Sequence, residues 1–200
     1  MLTNNINFKN FGLKKSNKKI LYSFKKLNKE DNEVLNSLKQ SFKDSFSKKT
    51  ILKLKKFSEY RIIGMGGSVL GSRAIYTFLR EKIKKNFHFI DNLDSSDTLK
   101  KVKNNSLNLI ISKSGNTLET ITNSNKIMNF SKKNIFITEN KKSFLMDLAN
   151  KLKSDVIHHN NFIGGRFSVL SEVGMLPAEL MGLNPRKFRK YNFLIKNKKF

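Results

Sequence analysis

Residues 107–120 read LNLIISKSGNTLET and set the architecture of the chain. The apolar run over residues 107–112 has the length and composition of a buried strand, and a helical pattern begins at Thr117. Backbone N–H groups converge where a glycine-containing loop enters a helix, and that geometry binds phosphate. The segment therefore predicts a strand, an anion-binding loop and a helix in succession.

Three hydroxyl side chains strengthen this interpretation. Ser112, Ser114 and Thr117 supply hydrogen-bond donors around the loop, and Gly115 allows a sharp turn without a clash at Cβ. Serine and threonine also cap helices, but a cap needs only one such residue. We therefore interpret the loop as a phosphate-binding site rather than as a cap alone.

Two further segments are rich in glycine. Residues 64–71, GMGGSVLG, follow a short apolar strand pattern and open a helical run. Residues 164–174, GGRFSVLSEVG, hold Arg166 among small residues, where the backbone can approach a ligand beside a permanent cation. Two anion-binding loops and one arginine in such a position suggest a phosphorylated small molecule as the ligand.

Strand and helix patterns alternate from Glu59 onward. The predicted strands cover residues 60–64, 87–92, 107–112, 134–138 and 155–159, and the predicted helices cover 69–84, 96–103, 117–130, 143–153 and 168–181. This alternation predicts an α/β fold with a doubly wound, five-stranded parallel sheet. Ligands of such sheets lie beyond the carboxyl ends of the strands, where both glycine loops fall.

The first 56 residues form a lysine-rich segment with helical rather than strand patterning. Apolar residues recur there at helical spacing, namely Val34, Leu35, Leu38, Phe42 and Phe46. This spacing predicts an amphipathic helix over residues 29–46, and a second short helix is predicted over 50–57. We expect both to pack on an α/β domain over residues 57–190.

The formal net charge is +25, from 40 basic and 15 acidic residues. A nucleic-acid-binding surface clusters its basic residues with aromatic residues between them, and it uses arginine for bidentate contacts. Here 34 lysines and 6 arginines are scattered along the whole chain, among many residues that A/T-rich codons encode. The charge therefore indicates a solvated lysine surface rather than a specific nucleic-acid partner, and it would steer anionic sugar phosphates toward the protein.

Several classes of protein are disfavoured by what the sequence lacks. No cysteine is present, which excludes a disulfide framework and thiolate chemistry. The first 19 residues lack an apolar segment of signal-peptide length and no run approaches a membrane span, so we expect a cytoplasmic protein without a membrane partner. His158 and His159 have no third ligand at metal-like spacing, so we expect no metal site and no cofactor.

Together the three glycine-rich segments resemble the glucose-6-phosphate isomerase family, within the wider class of sugar-isomerase (SIS) domains that bind phosphosugars. The first is similar to that family's GIGGS-x-LG loop, with Val69 where the motif has aspartate. The second is similar to its SK[ST]-x-x-T-x-ET phosphate loop. The third is similar to its GGR[FY]S-x-x-[ST]-x-x-G signature, with Glu172 in place of a small residue. The resemblance covers about residues 57–190 and implies the flavodoxin-like SIS fold.

The resemblance also implies roles for residues at matching positions. Arg166 would be catalytic, because this arginine stabilises the enediolate of aldose–ketose isomerisation. Substrate contacts would come from Gly67, Ser68, Ser112, Lys113, Ser114 and Thr117. The implied substrates are glucose 6-phosphate and fructose 6-phosphate, in glycolysis and gluconeogenesis, although relatives that isomerise mannose phosphate share these motifs. The implied full-length enzyme is a homodimer.

One part of the family's machinery has no match in this chain. The glutamate base, the ring-opening histidine and a catalytic lysine of the family lie in a second SIS subdomain, of which residues 191–200 would be the start. A truncated, a split and a degenerate isomerase are three alternatives. Because isomerisation needs a positioned base, we expect the chain alone to be nearly inactive, with Glu172 the first candidate for a base from within it. The alternative function is a non-catalytic SIS module that binds or senses sugar phosphates.

Overall fold

The computed structural model describes residues 17–93, 105–128 and 133–190. Within these ranges five parallel strands form one sheet: β1 Glu59–Gly64, β2 Asn86–Ile90, β3 Ser106–Ile111, β4 Asn134–Thr138 and β5 Asp155–His158. Their order across the sheet is β2-β1-β3-β4-β5. The prediction of an α/β fold with a doubly wound, five-stranded parallel sheet is confirmed.

Helices cover both faces of this sheet. The α-helices are α1 Lys18–Leu27, α2 Glu33–Ser37, α3 Lys48–Leu54, α4 Gly67–Phe78, α5 Leu118–Met128, α6 Phe144–Lys151, α7 Glu172–Leu180 and α8 Pro185–Phe188. Among the described residues, the 3-10 helix Arg80–Lys82 lies between α4 and β2, and the 3-10 helix Gly165–Leu170 lies between β5 and α7. Side chains of α3, α4 and α7 pack on one face of the sheet, and side chains of α5 and α6 pack on the other.

The two faces of the sheet have separate apolar cores because successive side chains of a strand point to opposite sides. In β1, Ile62 belongs to the core under α4 and α7, while Ile63 belongs to the core under α5 and α6. Every residue of β1, β3 and β4 is buried. This double burial explains why β3 reads as a nearly continuous apolar run in the sequence.

The chain changes direction across the sheet between β1 and β3. The connection from β1 leads outward to β2, and the connection from β2 returns past β1 to β3. Gly64 at the end of β1 is aligned with Ile111 at the end of β3. A crevice at such a reversal is where ligands of open parallel sheets bind. The loops after β1 and β3 leave the sheet at this point.

The predicted helix over residues 29–46 is wrong. The structure has only the short helix α2 there, and the chain from Leu38 to Phe46 is not helical. In a continued helix, the carbonyl oxygen of Ser37 would accept a backbone N–H, but here it accepts from Arg189 Nε at 3.0 Å. The chain turns around this distant arginine. Helix α1, which lies before this region, was not predicted.

The remaining differences lie at element ends. The helix predicted over 168–181 is a 3-10 helix up to Leu170, after which α7 begins behind Ser171, whose side chain accepts the backbone N–H of Val173. The helix predicted over 50–57 is α3, which begins and ends earlier. The helix predicted over 96–103 lies outside the described residues. The domain boundaries at residues 56 and 190 stay a prediction.

Arg189 joins the N-terminal segment to the α/β domain. Its guanidinium is buried and donates to both carboxylate oxygens of Asp44, at 2.7 and 3.2 Å, and to the carbonyl oxygen of Leu170 at 2.6 Å. It also lies 5.0 Å from the ring centre of Phe42. Burial raises the pKa of Asp44 above its usual value, although the hydrogen bond and charge of Arg189 oppose that shift. The Asp44 carboxylate therefore needs Arg189 as its partner to remain charged at this position.

We expect Arg189→Met to lower the free energy of unfolding by about 3–5 kcal/mol, because it leaves a buried carboxylate without its partner. Combining it with Asp44→Asn should recover part of that loss, since the second change removes the unpaired charge. Denaturant unfolding measures both. Arg186→Met is the control, on an exposed arginine of the same helix. A loss no larger than that of the control would contradict this account of the pair.

Tyr60 makes the free energy of unfolding depend on pH in the alkaline range. Its hydroxyl is buried, lies 3.0 Å from the carbonyl oxygen of Phe57, and accepts from Lys85 Nζ at 2.8 Å. Burial raises the pKa of Tyr60 from 10.0 to about 12. A phenol whose pKa is raised by folding stabilises the folded state fully below pH 10, and this contribution is lost as the pH rises through about 12.

The variant Tyr60→Phe should flatten the fall of unfolding free energy between pH 10 and pH 12. At neutral pH it should destabilise the protein by about 1–3 kcal/mol, because buried polar partners lose their hydrogen bond. Urea unfolding over a pH series tests both effects. Tyr22→Phe, at a tyrosine that is 71% exposed, is the control for removing a phenol hydroxyl that folding does not bury. Parallel pH curves for Tyr60→Phe and the wild type would refute the expected sign.

Candidate functional site

The phosphate loop predicted after β3 brings two of its three hydroxyl groups together. Ser112 is buried, and its Oγ lies 2.9 Å from Oγ1 of Thr117. The carbonyl oxygen of Thr117 accepts the N–H of Ile121, so Thr117 directly precedes the first turn of α5. Ser114 is exposed at the tip of the loop, where its Oγ accepts the backbone N–H of Asn116. The loop thus presents two adjacent hydroxyls at a helix N-terminus and a third at its rim.

Glycine is the residue type that fits at position 115, where the loop turns. Its φ is +67°, and an added Cβ would lie 2.2 Å from Oγ of Ser143. Ser143 caps α6, and the N–H of Leu145 in that helix donates to the carbonyl oxygen of Gly115 at 3.0 Å. The side chain of Asn116 accepts the N–H of Phe144. The phosphate loop is therefore attached to the first turn of α6.

Lys113 has protein partners that sequence reasoning missed. Its Nζ donates to the carbonyl oxygen of Asn161 at 2.8 Å and lies 3.2 Å from Oε1 of Glu139. Burial would raise the pKa of Glu139, but hydrogen bonds from Lys141 and Lys113 outweigh it and lower that pKa. An acidic residue directly after β4, at the same edge of the sheet, was the sequence signal for this contact. Because these two partners occupy part of the Lys113 ammonium group, only its remaining N–H can donate to an anion at this site.

The glycine loop after β1 touches the arginine segment by its backbone. Gly67 is the first residue of α4, and an added Cβ there would lie 2.1 Å from the carbonyl oxygen of Gly165. Oγ of Ser168 lies 2.7 Å from that same oxygen and 3.2 Å from the carbonyl oxygen of Gly67. The fold thus brings the first and third glycine-rich segments into contact, although about a hundred residues separate them in sequence.

Arg166 stands next to this contact with an exposed side chain. Among the described residues, its guanidinium has no hydrogen-bond acceptor and no carboxylate partner. Ser68, half-buried in the first turn of α4, lies on the other segment. The edge therefore carries an unpaired cation, two adjacent hydroxyls and two helix N-termini. These groups can bind an anion and stabilise negative charge that develops beside it.

An open depression of about 510 Å³ lies beside the glycine loop and is lined by Met65, Asn92, Leu93 and Glu119. The side chain of Asn123 in α5 donates to the carbonyl oxygen of Asn92 and holds this wall. A larger depression of about 710 Å³ lies elsewhere, around Asp44 and Arg189. Of these two depressions, the smaller one adjoins the glycine loops at the sheet reversal, where ligands of such sheets bind.

Glu172 is not available as a base at this edge. It is 1% exposed, its Oε1 accepts the N–H of Asn160 at 2.9 Å, and the same oxygen pairs with Nδ1 of His159. Glu119 is the carboxylate that lines the depression instead. The described part of the chain contains no group of three or more metal-ligating side chains, and none of its helices is long and apolar enough to cross a membrane.

Comparison with known proteins agrees with this geometry. The family model described as phosphoglucose isomerase matches residues 3–190. The chain is 37% identical over 175 residues to a glucose-6-phosphate isomerase of Methanocaldococcus jannaschii, covering 80% of this chain and 42% of that relative. It spans less than half the length of the curated relatives it matches.

Two solved structures show the same fold at low sequence identity. A hypothetical protein from Thermus thermophilus superposes with a TM-score of 0.69 at 20% identity, over 90% of this chain and 47% of that one. The tagatose-6-phosphate ketose/aldose isomerase of Escherichia coli superposes with a TM-score of 0.53 at 17% identity, over 76% of this chain and 46% of that one. The family match over residues 3–190 shows that the chain belongs to the phosphoglucose isomerase family.

Proposed function

We propose that this chain is the phosphate-binding portion of a glucose-6-phosphate isomerase. The observation that carries the proposal is the meeting of all three glycine-rich segments at one edge of the sheet, with Arg166 beside them and without a partner in the described part of the chain. The names of the curated relatives support glucose 6-phosphate as its substrate, and fructose 6-phosphate is the ketose that its isomerisation would give. A cytoplasmic location and a homodimer of the full-length enzyme belong to the same proposal.

In this proposal the phosphate group is held by the loop after β3. The hydroxyls of Ser112, Ser114 and Thr117 would donate to its oxygens, and the free N–H groups at the start of α5 would add to them. Lys113 would contribute its remaining proton, and Gly67 and Ser68 would contact the sugar end. The contact between Gly67 and Gly165 supports this arrangement because it brings the sugar end close to Arg166.

Arg166 would carry the chemical role. In aldose–ketose isomerisation a base takes the C2 proton of the aldose, the C–H electron pair forms the C1=C2 double bond, and the carbonyl oxygen becomes an enediolate oxyanion. When the proton returns to C1, the C2 hydroxyl gives up its proton and becomes the ketose carbonyl, while the oxygen on C1 takes up a proton and becomes a hydroxyl. A fixed guanidinium beside that oxyanion lowers the barrier. The missing step is the proton transfer itself, for which no residue of this chain matches the family's base.

That gap is the observation that favours a second candidate function. Among the described residues, Glu172 is buried and paired, and Glu139 is paired with Lys113 and Lys141. Glu119 is the described carboxylate that lines the depression. A module that binds sugar phosphates without converting them needs only the groups described above. The two candidates differ in turnover, and the isolated chain is expected to show little in either case.

Replacing the loop hydroxyls should abolish specific binding. For the triple variant Ser112→Ala, Ser114→Ala, Thr117→Val, we expect at least about tenfold weaker binding of glucose 6-phosphate, because each hydrogen bond to a charged group contributes about 1.5–3 kcal/mol. Titration calorimetry at moderate salt measures it. The control is Ser23→Ala with Ser41→Ala, at two exposed serines. Equal affinity for the triple variant and the control would attribute binding to the +25 charge alone.

Arg166 should act on the transition state rather than on ground-state binding. In a complete isomerase that contains this sequence, Arg166→Lys keeps the charge but loses the planar fork of donors. We expect kcat to fall by about 10²–10³ with a small change in KM, as when an oriented oxyanion donor is removed. Steady-state kinetics in both directions measure the effect, with Arg186→Lys as the control. A raised KM at constant kcat would make Arg166 a binding residue.

A further inference from the structure

Arg166 depends on its backbone for its position. Its side chain has no partner among the described residues, and it follows the loop of residues 159–164 that connects β5 to the 3-10 helix Gly165–Leu170. Whatever fixes that loop therefore determines where the guanidinium can reach. The loop lies on the surface at the carboxyl edge, and Asn161 and Phe162 within it are exposed.

The loop begins on a buried carboxylate. Glu172 is the first residue of α7, and its Oε1 accepts the backbone N–H of Asn160 at 2.9 Å while pairing with Nδ1 of His159. His159 is itself buried, and its own N–H donates to the carbonyl oxygen of Thr138 in β4. A carboxylate at the first turn of a helix is also favoured by the helix dipole. Glu172 thus binds two consecutive residues at the point where the loop leaves the sheet.

Three weaker contacts continue from this anchor. The side chain of Asn160 accepts the N–H of Phe162 and donates to Glu33 of α2 at 2.8 Å. Lys113 of the phosphate loop donates to the carbonyl oxygen of Asn161. The loop is therefore tied by hydrogen bonds to α7, to the N-terminal segment and to the phosphate loop, and the side chain of its Ile163 is buried as well. Of these hydrogen-bonded ties, the one between His159 and Glu172 is the most buried.

The family signature places a small residue where this chain has Glu172. Burying a carboxylate is unfavourable unless it is hydrogen-bonded and paired. The two hydrogen-bonded contacts of Glu172 Oε1 both go to residues of the loop that leads to Arg166. Glu172 does not contact the ligand itself, since its side chain is 1% exposed. Its contacts are therefore those of a residue that acts through the loop.

We propose that Glu172 is a positioning residue that holds Arg166 at the site by fixing the loop of residues 159–164. This inference rests on the proposed function, because it assigns Glu172 to the site where Arg166 meets the substrate. It predicts that loss of Glu172 weakens only those interactions that Arg166 makes. Ligands that do not reach the arginine should bind as before.

Two ligands separate these interactions. One is a phosphorylated five-carbon sugar acid, whose carboxylate stands for the oxygens of the enediolate and should reach Arg166. The other is the corresponding sugar alcohol phosphate, which offers the phosphate loop the same group without that charge. Titration calorimetry of the whole chain gives Kd for each ligand. The variants are Glu172→Ala, Arg166→Ala and their combination.

We expect Glu172→Ala to weaken binding of the sugar acid phosphate by about tenfold, which is within the range of coupling between residues of one network. Binding of the sugar alcohol phosphate should be unchanged. In the Arg166→Ala background the additional effect of Glu172→Ala should disappear. Glu172→Gln, which keeps the acceptor for the Asn160 N–H, should bind the acid more tightly than Glu172→Ala does.

The control is Asp147→Ala, which makes the same change of net charge at an exposed position in the first turn of α6. Equal weakening of both ligands by Glu172→Ala, or an undiminished effect without Arg166, would mean that Glu172 serves only the fold and would overturn the inference. Failure of the wild type to bind either ligand would overturn the proposed function and this inference with it. Binding by the wild type without coupling would overturn the inference alone.

Discussion

The backbone of Gly165 passes so close to Gly67 that the site can exist only if residue 67 carries no side chain. An added Cβ on Gly67 would lie 2.1 Å from the carbonyl oxygen of Gly165. The same restriction recurs one step back, where a Cβ on Gly64 would lie 2.6 Å from the carbonyl oxygen of Ile111. These two approaches set the spacing of the three loops. The phosphate loop, the glycine loop and the arginine segment are neighbours because the backbones can touch.

Much of this arrangement follows from local features of the sequence. The apolar runs of β3 and β4 are buried on both faces, so their patterns mark the strands directly, and β4 was predicted at residues 134–138 where it lies. Gly115 and the hydroxyls beside it mark the loop for the same local reason. Because all strands run in parallel, their carboxyl ends lie at one edge of the sheet, and the loops that follow them meet there.

What the sequence could not reveal involves partners that are distant along the chain. The apolar spacing from Val34 to Phe46 fits a helix, but Arg189, 152 residues from Ser37, takes the carbonyl group on which the helix would continue. Lys113 shares its ammonium with Asn161 and Glu139, which no spacing in the loop encodes. The burial of Glu172 against His159 is of the same kind, since it depends on how α7 meets the end of β5. In each case a tertiary contact overrides or adds to a local preference.

The contacts of Lys113 have a consequence for how tightly a phosphate can be held. A lysine side chain loses up to about 2 kcal/mol of conformational entropy when it becomes fixed in one rotamer. In this protein Asn161 and Glu139 already fix the ammonium group in the folded chain. The ordering of that side chain therefore belongs to folding and is not repeated when a ligand arrives. The loop is preorganised, so a small anion can bind to it with less loss of freedom than a flexible lysine surface would require.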